Sequence, residues 1–208
     1  MKKTQSQNSW LQRQGKDIFV KLSKAKGYRS RAAYKLIDIN YKFNIIKKNT
    51  KIIDLGASPG GWTQVIVNIL KDTNYEIVAI DKLNMEPIKN CSFILDDIES
   101  FLKKNNSLNS NSYELILSDM APNSSGHRFT DQASSEKLFF LALEFALKYL
   151  ISGGNFVCKI MRNSVEKKIV NNTKKYFKVV KVYKPPASRK DSKEIYMVAL
   201  GFNNLHKG

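Results

Sequence analysis

Residues 51–62, Lys51-Ile52-Ile53-Asp54-Leu55-Gly56-Ala57-Ser58-Pro59-Gly60-Gly61-Trp62, constrain the fold more than any other stretch. Ile52, Ile53 and Leu55 form the apolar run of a buried strand. The run breaks at Gly56, and Pro59-Gly60-Gly61 cannot continue a regular element. Trp62, Val65, Ile66, Ile69 and Leu70 then recur at i, i+3, i+4, i+7 and i+8, one face of a helix. Strand, glycine turn and helix make the opening unit of a nucleotide-type α/β fold, in which a ligand approaches bare backbone and the helix start offers unpaired N–H groups. About 20 residues beyond the glycines a second apolar strand, Ile77-Val78-Ala79-Ile80, ends in Asp81, where a carboxylate can accept both hydroxyls of a ribose.

The loop spacing narrows the ligand. A pyrophosphate site reads G-x-G-x-x-G, whereas this loop reads Gly56-x-x-x-Gly60-Gly61, and no G-K-[ST] follows. An adenosyl ligand without phosphates suits it better, and S-adenosylmethionine is the common one. A tight strand–helix turn without a ligand would need no Asp81 at that place.

A chain of 208 residues suits one α/β domain better than two. Cys91 and Cys158 lack a C-x-x-C partner and lie in apolar surroundings, so they read as core residues and not as a zinc site or a disulfide. No run of about 18 apolar residues suggests a membrane span. The first residues lack the apolar segment of a secretion signal, so an intracellular protein is expected, cytoplasmic or organellar (mitochondrial). The net charge of +17 is segregated. Residues 1–51 carry 14 Lys/Arg against 2 acids, residues 52–147 carry 7 against 13, and residues 148–194 carry 13 against 3. The acidic middle coincides with the adenosyl site, and the basic flanks suit a polyanion such as RNA. A general lysine enrichment would not separate them into blocks.

Along the chain, residues 1–15 read as polar and mobile. Residues 16–25 carry Ile18, Phe19 and Leu22 at helical spacing, and Gly27 ends that helix. Ser30 is the expected N-cap of a helix bearing Ala33, Leu36 and Ile37, with Lys35 near its start. Residues 91–95 read as a third strand followed by Asp96-Asp97, 103–112 as a surface loop, and 113–118 as a fourth strand leading into Asp119. Residues 123–132 read as irregular. A long helix bearing Leu138, Leu141, Ala142, Phe145, Ala146 and Tyr149 should follow, with Gly153-Gly154 as its terminator. Strand five is expected over 155–160, a helix over about 165–176, and two closing strands near 179–183 and 194–200. With no helix between them, these last two should be antiparallel.

Asp81, Asp97 and Asp119 stand at the carboxyl ends of strands, where ligands bind in open α/β sheets. Lys159 lies inside an apolar strand, a costly place for a lysine that is neither paired nor functional. Five segments carry a resemblance: Arg29-Ser30-Arg31-Ala32-Ala33-Tyr34-Lys35-Leu36, the 54–62 loop, Ser118-Asp119-Met120-Ala121-Pro122-Asn123, Gly153-Gly154 with Phe156-Val157-Cys158-Lys159, and Ser192-Lys193-Glu194-Ile195-Tyr196. In order and spacing, over about residues 10–202, they resemble the FtsJ-like (RrmJ-type) RNA 2′-O-ribose methyltransferases. Ser58, where the family usually has alanine, and Met161-Arg162 are the departures.

The resemblance implies an α/β fold: a single Rossmann-like methyltransferase domain over 1–208, with a basic helical part at 16–50 and a core at 51–202. It implies a mostly parallel seven-stranded sheet with an antiparallel closing strand and helices on both faces. It implies a catalytic Lys-Asp-Lys-Glu tetrad at Lys35, Asp119, Lys159 and Glu194. S-adenosylmethionine contacts are expected at Gly56, Ser58, Pro59, Gly60, Gly61, Trp62, Asp81, Asp97 and Asp119. The implied reaction is methylation of a ribose 2′-hydroxyl in ribosomal RNA, a large-subunit uridine, by a monomer that needs no metal. Lys16, Lys21, Lys24, Arg29 and Arg31 are the expected RNA phosphate contacts. The alternatives are the same chemistry on transfer RNA or a messenger cap, a catalytically silent RNA-binding protein on this fold, and an NAD-dependent oxidoreductase, which the loop spacing disfavours. A 2′-hydroxyl is a poor nucleophile until its proton is drawn away. A buried lysine beside a second ammonium suits that task, with the two carboxylates orienting it.

Overall fold

A computed structural model describes residues 17–104, 108–122, 126–162 and 166–203. The polar start at 1–15, Lys16, Asn123 and Val165 lie outside the described residues. The elements run α1 (Ile18–Ala25), α2 (Ala33–Phe43), β1 (Thr50–Leu55), α3 (Gly61–Leu70), β2 (Tyr75–Asp81), β3 (Ser92–Leu95), α4 (Ile98–Lys103), β4 (Tyr113–Ser118), α5 (Arg128–Tyr149), β5 (Leu150–Met161), α6 (Glu166–Lys174), β6 (Phe177–Tyr183) and β7 (Glu194–Phe202). Seven strands form one sheet in the order β3-β2-β1-β4-β5-β7-β6. β1 to β5 are parallel, and β7 runs antiparallel to both β5 and β6, the closing arrangement that the helix-free connection requires.

The near-continuous apolar runs of the central strands follow from burial on both faces. Ile53, Leu55, Val78, Ile80 and Ile116 face one layer with Phe101 of α4, Phe145 of α5 and Ile169 of α6. Ile52, Ile77, Leu115, Leu117 and Val198 face the other, with Leu36 of α2 and Trp62 and Ile66 of α3. A parallel sheet clothed on both sides needs this alternation of neighbours along each strand. Strand order reverses beside β1, which has β2 on one side and β4 on the other. The crevice at that reversal is where such sheets bind ligands.

Four local expectations are corrected. The long helix ends at Tyr149, not at Gly153-Gly154, because Tyr149 and Leu150 are both fully buried and the chain turns extended at Leu150 (φ −69°, ψ 140°). The glycines instead sit within β5, where pairing jumps from Tyr113↔Leu150 to Leu115↔Asn155. Gly153 has φ +83°, the conformation such a bulge demands. α5 starts at Arg128, inside the stretch read as irregular. α4 was not foreseen; the Asp97 carboxylate caps it by accepting from the N–H groups of Glu99 (3.0 Å) and Ser100 (3.3 Å). Ser30 does not cap α2. Its carbonyl accepts from Ala33 N–H, and its hydroxyl packs where a Cβ on Gly61 would fall, 2.3 Å away. Cys91 and Cys158 are free thiols, and burial pushes them up to about 11 and about 12, in keeping with packing roles.

Candidate active site

A cavity of about 410 Å³ opens at the carboxyl ends of β1, β2 and β4. Gly56, Ser58, Asp81, Asp97 and Asp119 line it, with Leu83, Met120, Leu138 and Leu141 among its apolar walls. Both Asp81 oxygens are already oriented. Oδ2 accepts from Ser58 N–H (2.9 Å) and Oδ1 from Leu83 N–H (2.8 Å). Each retains a second lone pair for a hydroxyl donor. Gly56, with φ +72°, passes so close to the wall that a Cβ would lie 2.7 Å from Met120 Cγ. An adenosyl group with a ribose and no phosphate fits these features: carboxylates for hydroxyls, apolar walls, and backbone approached where no side chain fits.

The rest of the loop lies behind the cavity. Pro59, Gly60, Gly61 and Trp62 do not line it. Trp62 is 2% exposed, donates from Nε1 to the Ala32 carbonyl (2.9 Å) and packs on Tyr196 (5.6 Å between centroids). Gly60, with φ +107°, is hemmed in by Ile88 and Arg29, and Gly61 by Ser30. These residues shape the loop from its far side because the segment between α1 and α2 packs there.

The four residues expected to form a tetrad come together beside the cavity. Antiparallel pairing sets Lys159 opposite Tyr196 and Met161 opposite Glu194, so Lys159, Tyr196 and Glu194 share a face. Lys159 is 8% exposed, and its Nζ donates to the Asp119 carbonyl (2.5 Å) and to Asp119 Oδ1 (3.0 Å). Lys35, on α2, pairs with Glu194 Oε1 at 2.7 Å, both side chains being at most 15% exposed. Tyr196 joins the two pairs: its hydroxyl donates to Asp119 Oδ1 (2.6 Å), and its ring lies 5.8 Å from Lys35 Nζ. Burial alone would push the Asp119 carboxyl up. The ammonium groups of Lys159 and Lys35 and the Tyr196 hydroxyl outweigh that and hold it below the usual carboxylate range. Burial, with Asp119 and Glu194 nearby, pushes the Tyr196 phenol well up, so it stays a donor.

Sequence reasoning missed three participants. Tyr196 appeared within a strand and a family motif, with no role assigned to it. Ser188 donates from Oγ to Glu194 Oε1 (3.0 Å), the oxygen that also receives Lys35. Asp54 is wholly buried, with Oδ2 accepting from Thr63 Oγ1 (2.7 Å) and no partner for Oδ1. A carboxylate inside an apolar strand was the available signal for Asp54; nothing local marks Ser188.

Of the expected RNA contacts, Lys21 and Lys24 are exposed on α1. Two are otherwise engaged. Arg31 pairs with Asp17 (2.6 Å) and donates to the Ala187 carbonyl, and Arg29 donates to three carbonyls of nearby loops. Apart from Asp17, their partners lie 30 or more residues along the sequence and left no local sign.

With this geometry the kinship is decisive. The family model of FtsJ-like methyltransferases matches residues 28–202. The chain belongs to the FtsJ-like methyltransferase family. Among curated relatives it is 44% identical over 201 residues to the ribosomal RNA large subunit methyltransferase E of Anaplasma phagocytophilum, covering 95% of this chain and 81% of that one. It is 44% identical over 200 residues to the protein of the same name from Neorickettsia sennetsu, covering 95% and 93%. A crystal structure described as that of a ribosomal RNA methyltransferase from Plasmodium falciparum superposes with a TM-score of 0.77 at 33% identity, over 84% of this chain and 98% of the other. The fibrillarin/Nop5p complex gives 0.60 at 17% identity over 82% and 83%, a likeness of fold alone.

Proposed function

We propose that this FtsJ-like methyltransferase transfers a methyl group from S-adenosylmethionine to a ribose 2′-hydroxyl of ribosomal RNA. The observation that carries the reading is that Asp119 lines the cavity and also holds Lys159 through its carbonyl and Oδ1. Donor pocket and candidate base therefore share one residue. The names of the relatives support ribosomal RNA of the large subunit as the substrate.

In this reading Asp81 binds the ribose hydroxyls of the cofactor, and Asp97, beside the cavity, is placed for its base. Bound S-adenosylmethionine supplies a methyl group on a sulfonium, ready for direct displacement by an oxygen. Lys159 Nζ makes two donor contacts, both to Asp119. Acting as a base, the neutral amine has only those two N–H donors and one lone pair, which is left to face the incoming 2′-hydroxyl and takes its proton as the new bond forms. Lys35, steered by Glu194 and Ser188, adds positive charge where the alkoxide develops. Much of the acceleration comes from holding oxygen and methyl in line.

Ribose chemistry has a direct test. Alkali cleaves RNA through the 2′-oxygen, so a 2′-O-methylated nucleotide resists cleavage where a base-methylated one does not. Protein, methyl-labelled S-adenosylmethionine and large-subunit RNA should yield label in an alkali-resistant dinucleotide. Label released in mononucleotides would refute the ribose reading.

A further inference from the structure

Arg29 is the residue whose contacts most exceed the role its charge suggested. It lies between α1 and α2, in the basic N-terminal part of the chain. Its backbone N–H donates to Gln64 Oε1 (2.8 Å), and Gln64 Nε2 donates in turn to the Gly27 carbonyl (3.1 Å). These bonds fix the segment against α3. The guanidinium then reaches two loops at once. Nη1 donates to the carbonyls of Pro59 (3.2 Å) and Glu86 (2.6 Å), and Nη2 to that of Pro87 (3.0 Å).

Those loops build one wall of the cavity. The first carries Ser58, whose N–H holds Asp81 Oδ2. The second, which follows β2, carries Leu83, whose N–H holds Asp81 Oδ1, and Asn84, whose carbonyl accepts from Ser58 Oγ (3.2 Å). Asp81 is thus gripped by both loops on the cavity side, and Arg29 clamps the same two loops from behind. The packing is tight: a Cβ on Gly60 would fall 2.9 Å from Arg29 Nη1. Only a planar fork of donors can serve three carbonyls in this way; a lysine ammonium reaches fewer and holds them less rigidly.

We propose that Arg29 is a positioning residue of the cofactor cavity, locking the glycine loop to the loop after β2 so that Asp81 meets its ligand preorganised, and that it does not act as an RNA phosphate contact. The proposal rests on the reading of the cavity as an S-adenosylmethionine site. Preorganisation raises affinity by removing the cost of ordering loops on binding.

The test uses the full chain with S-adenosylhomocysteine as the probe, and the variants Arg29→Ala and Arg29→Lys. Wild type should bind the probe in calorimetry; if it does not, the cavity reading itself fails and this proposal with it. Given binding, Arg29→Ala should weaken it about tenfold or more, and Arg29→Lys should restore little of the loss although it keeps the charge. The KM for cofactor should rise while kcat at saturating cofactor stays within about twofold, the signature of lost ground-state binding. The salt dependence of RNA affinity should match wild type in both variants. Should Arg29→Ala misfold, Arg29→Lys still decides the matter. Probe affinity within twofold of wild type in Arg29→Lys would overturn the clamp, as would a reduced RNA salt slope in Arg29→Ala with unchanged probe binding.

Discussion

The buried Asp54 makes a quantitative prediction about stability and pH. Burial pushes its carboxyl up to about 7; the Thr63 hydroxyl pulls the other way, and the charges of Asp119 and Asp81 push further up. Its Oδ1 has no partner to compensate a charge. In the unfolded chain the same group titrates near the ordinary aspartate value of 3.8. Between these values the folded protein binds the extra proton, so stability falls as pH rises across the window from about 4 to about 7. Below the window the group is neutral in both states and costs nothing as a charge. Above it the full penalty applies, about 4 kcal/mol at roughly 1.4 kcal/mol per unit of pKa difference. Asp54→Asn removes the titration and keeps the shape. Its amide leaves a buried donor near the Oδ1 position, a fixed cost of about 1–3 kcal/mol. The assay is urea unfolding of both proteins, without cofactor, from pH 4.5 to 8. The stability of the Asn variant relative to wild type should climb by several kcal/mol up to about pH 7 and then level off. A difference independent of pH would refute the assignment of a neutral buried carboxyl at Asp54.

Other variants test neighbouring parts of the account. Asp81→Ala should weaken S-adenosylmethionine binding about tenfold or more, since the donors of the ligand lose their acceptor; unchanged affinity in calorimetry would remove Asp81 from the site. Tyr196→Phe deletes the hydroxyl that steadies Asp119 but keeps the ring against Trp62. A bond to a charged group is worth about 1.5–3 kcal/mol, so single-turnover rates should fall at least about tenfold; a wild-type rate would show the hydroxyl idle. Replacing the exposed Lys21 and Lys24 together by Ala should lower the salt slope of RNA binding by about 1.5 while cofactor affinity holds; an unchanged slope would place the RNA elsewhere.

Where the hydrophobic period changed sharply, the fold was legible in the sequence. Ile52 to Leu70 passes from strand to helix across glycines, and the observed β1, loop and α3 follow that pattern. The absence of a helix between 183 and 194 foretold the antiparallel closing strands. Short or polar helices were not legible. α4 has six residues, too few for periodicity to speak, and the first turns of α5 are polar apart from Phe129, which is 86% exposed. Glycines misled at 153–154, since a bulge and a helix end both favour them. Lys35, Asp119, Lys159 and Glu194 come from four elements, and spacing alone could not assemble them; resemblance to family motifs singled them out. The charge of Arg29 and Arg31 suggested phosphates, yet their acceptors include carbonyls up to 58 and 156 residues away. Contacts of that range leave no trace in local composition.

The central claim is that Lys159 handles the ribose proton beside the donor pocket, and one measurement addresses it most directly: single-turnover methyl transfer to ribosomal RNA at saturating cofactor and RNA, comparing wild type with Lys159→Ala and Lys159→Arg. Calorimetry on the same samples checks that cofactor binding is intact. Loss of a positioned acid–base group costs at least about 10²-fold, so Lys159→Ala should fall by that much or more. Lys159→Arg should not recover the rate, because a guanidinium stays charged and cannot accept a proton. A near-wild-type rate in Lys159→Arg would contradict the account and leave residue 159 as a fixed positive charge that merely orients the hydroxyl.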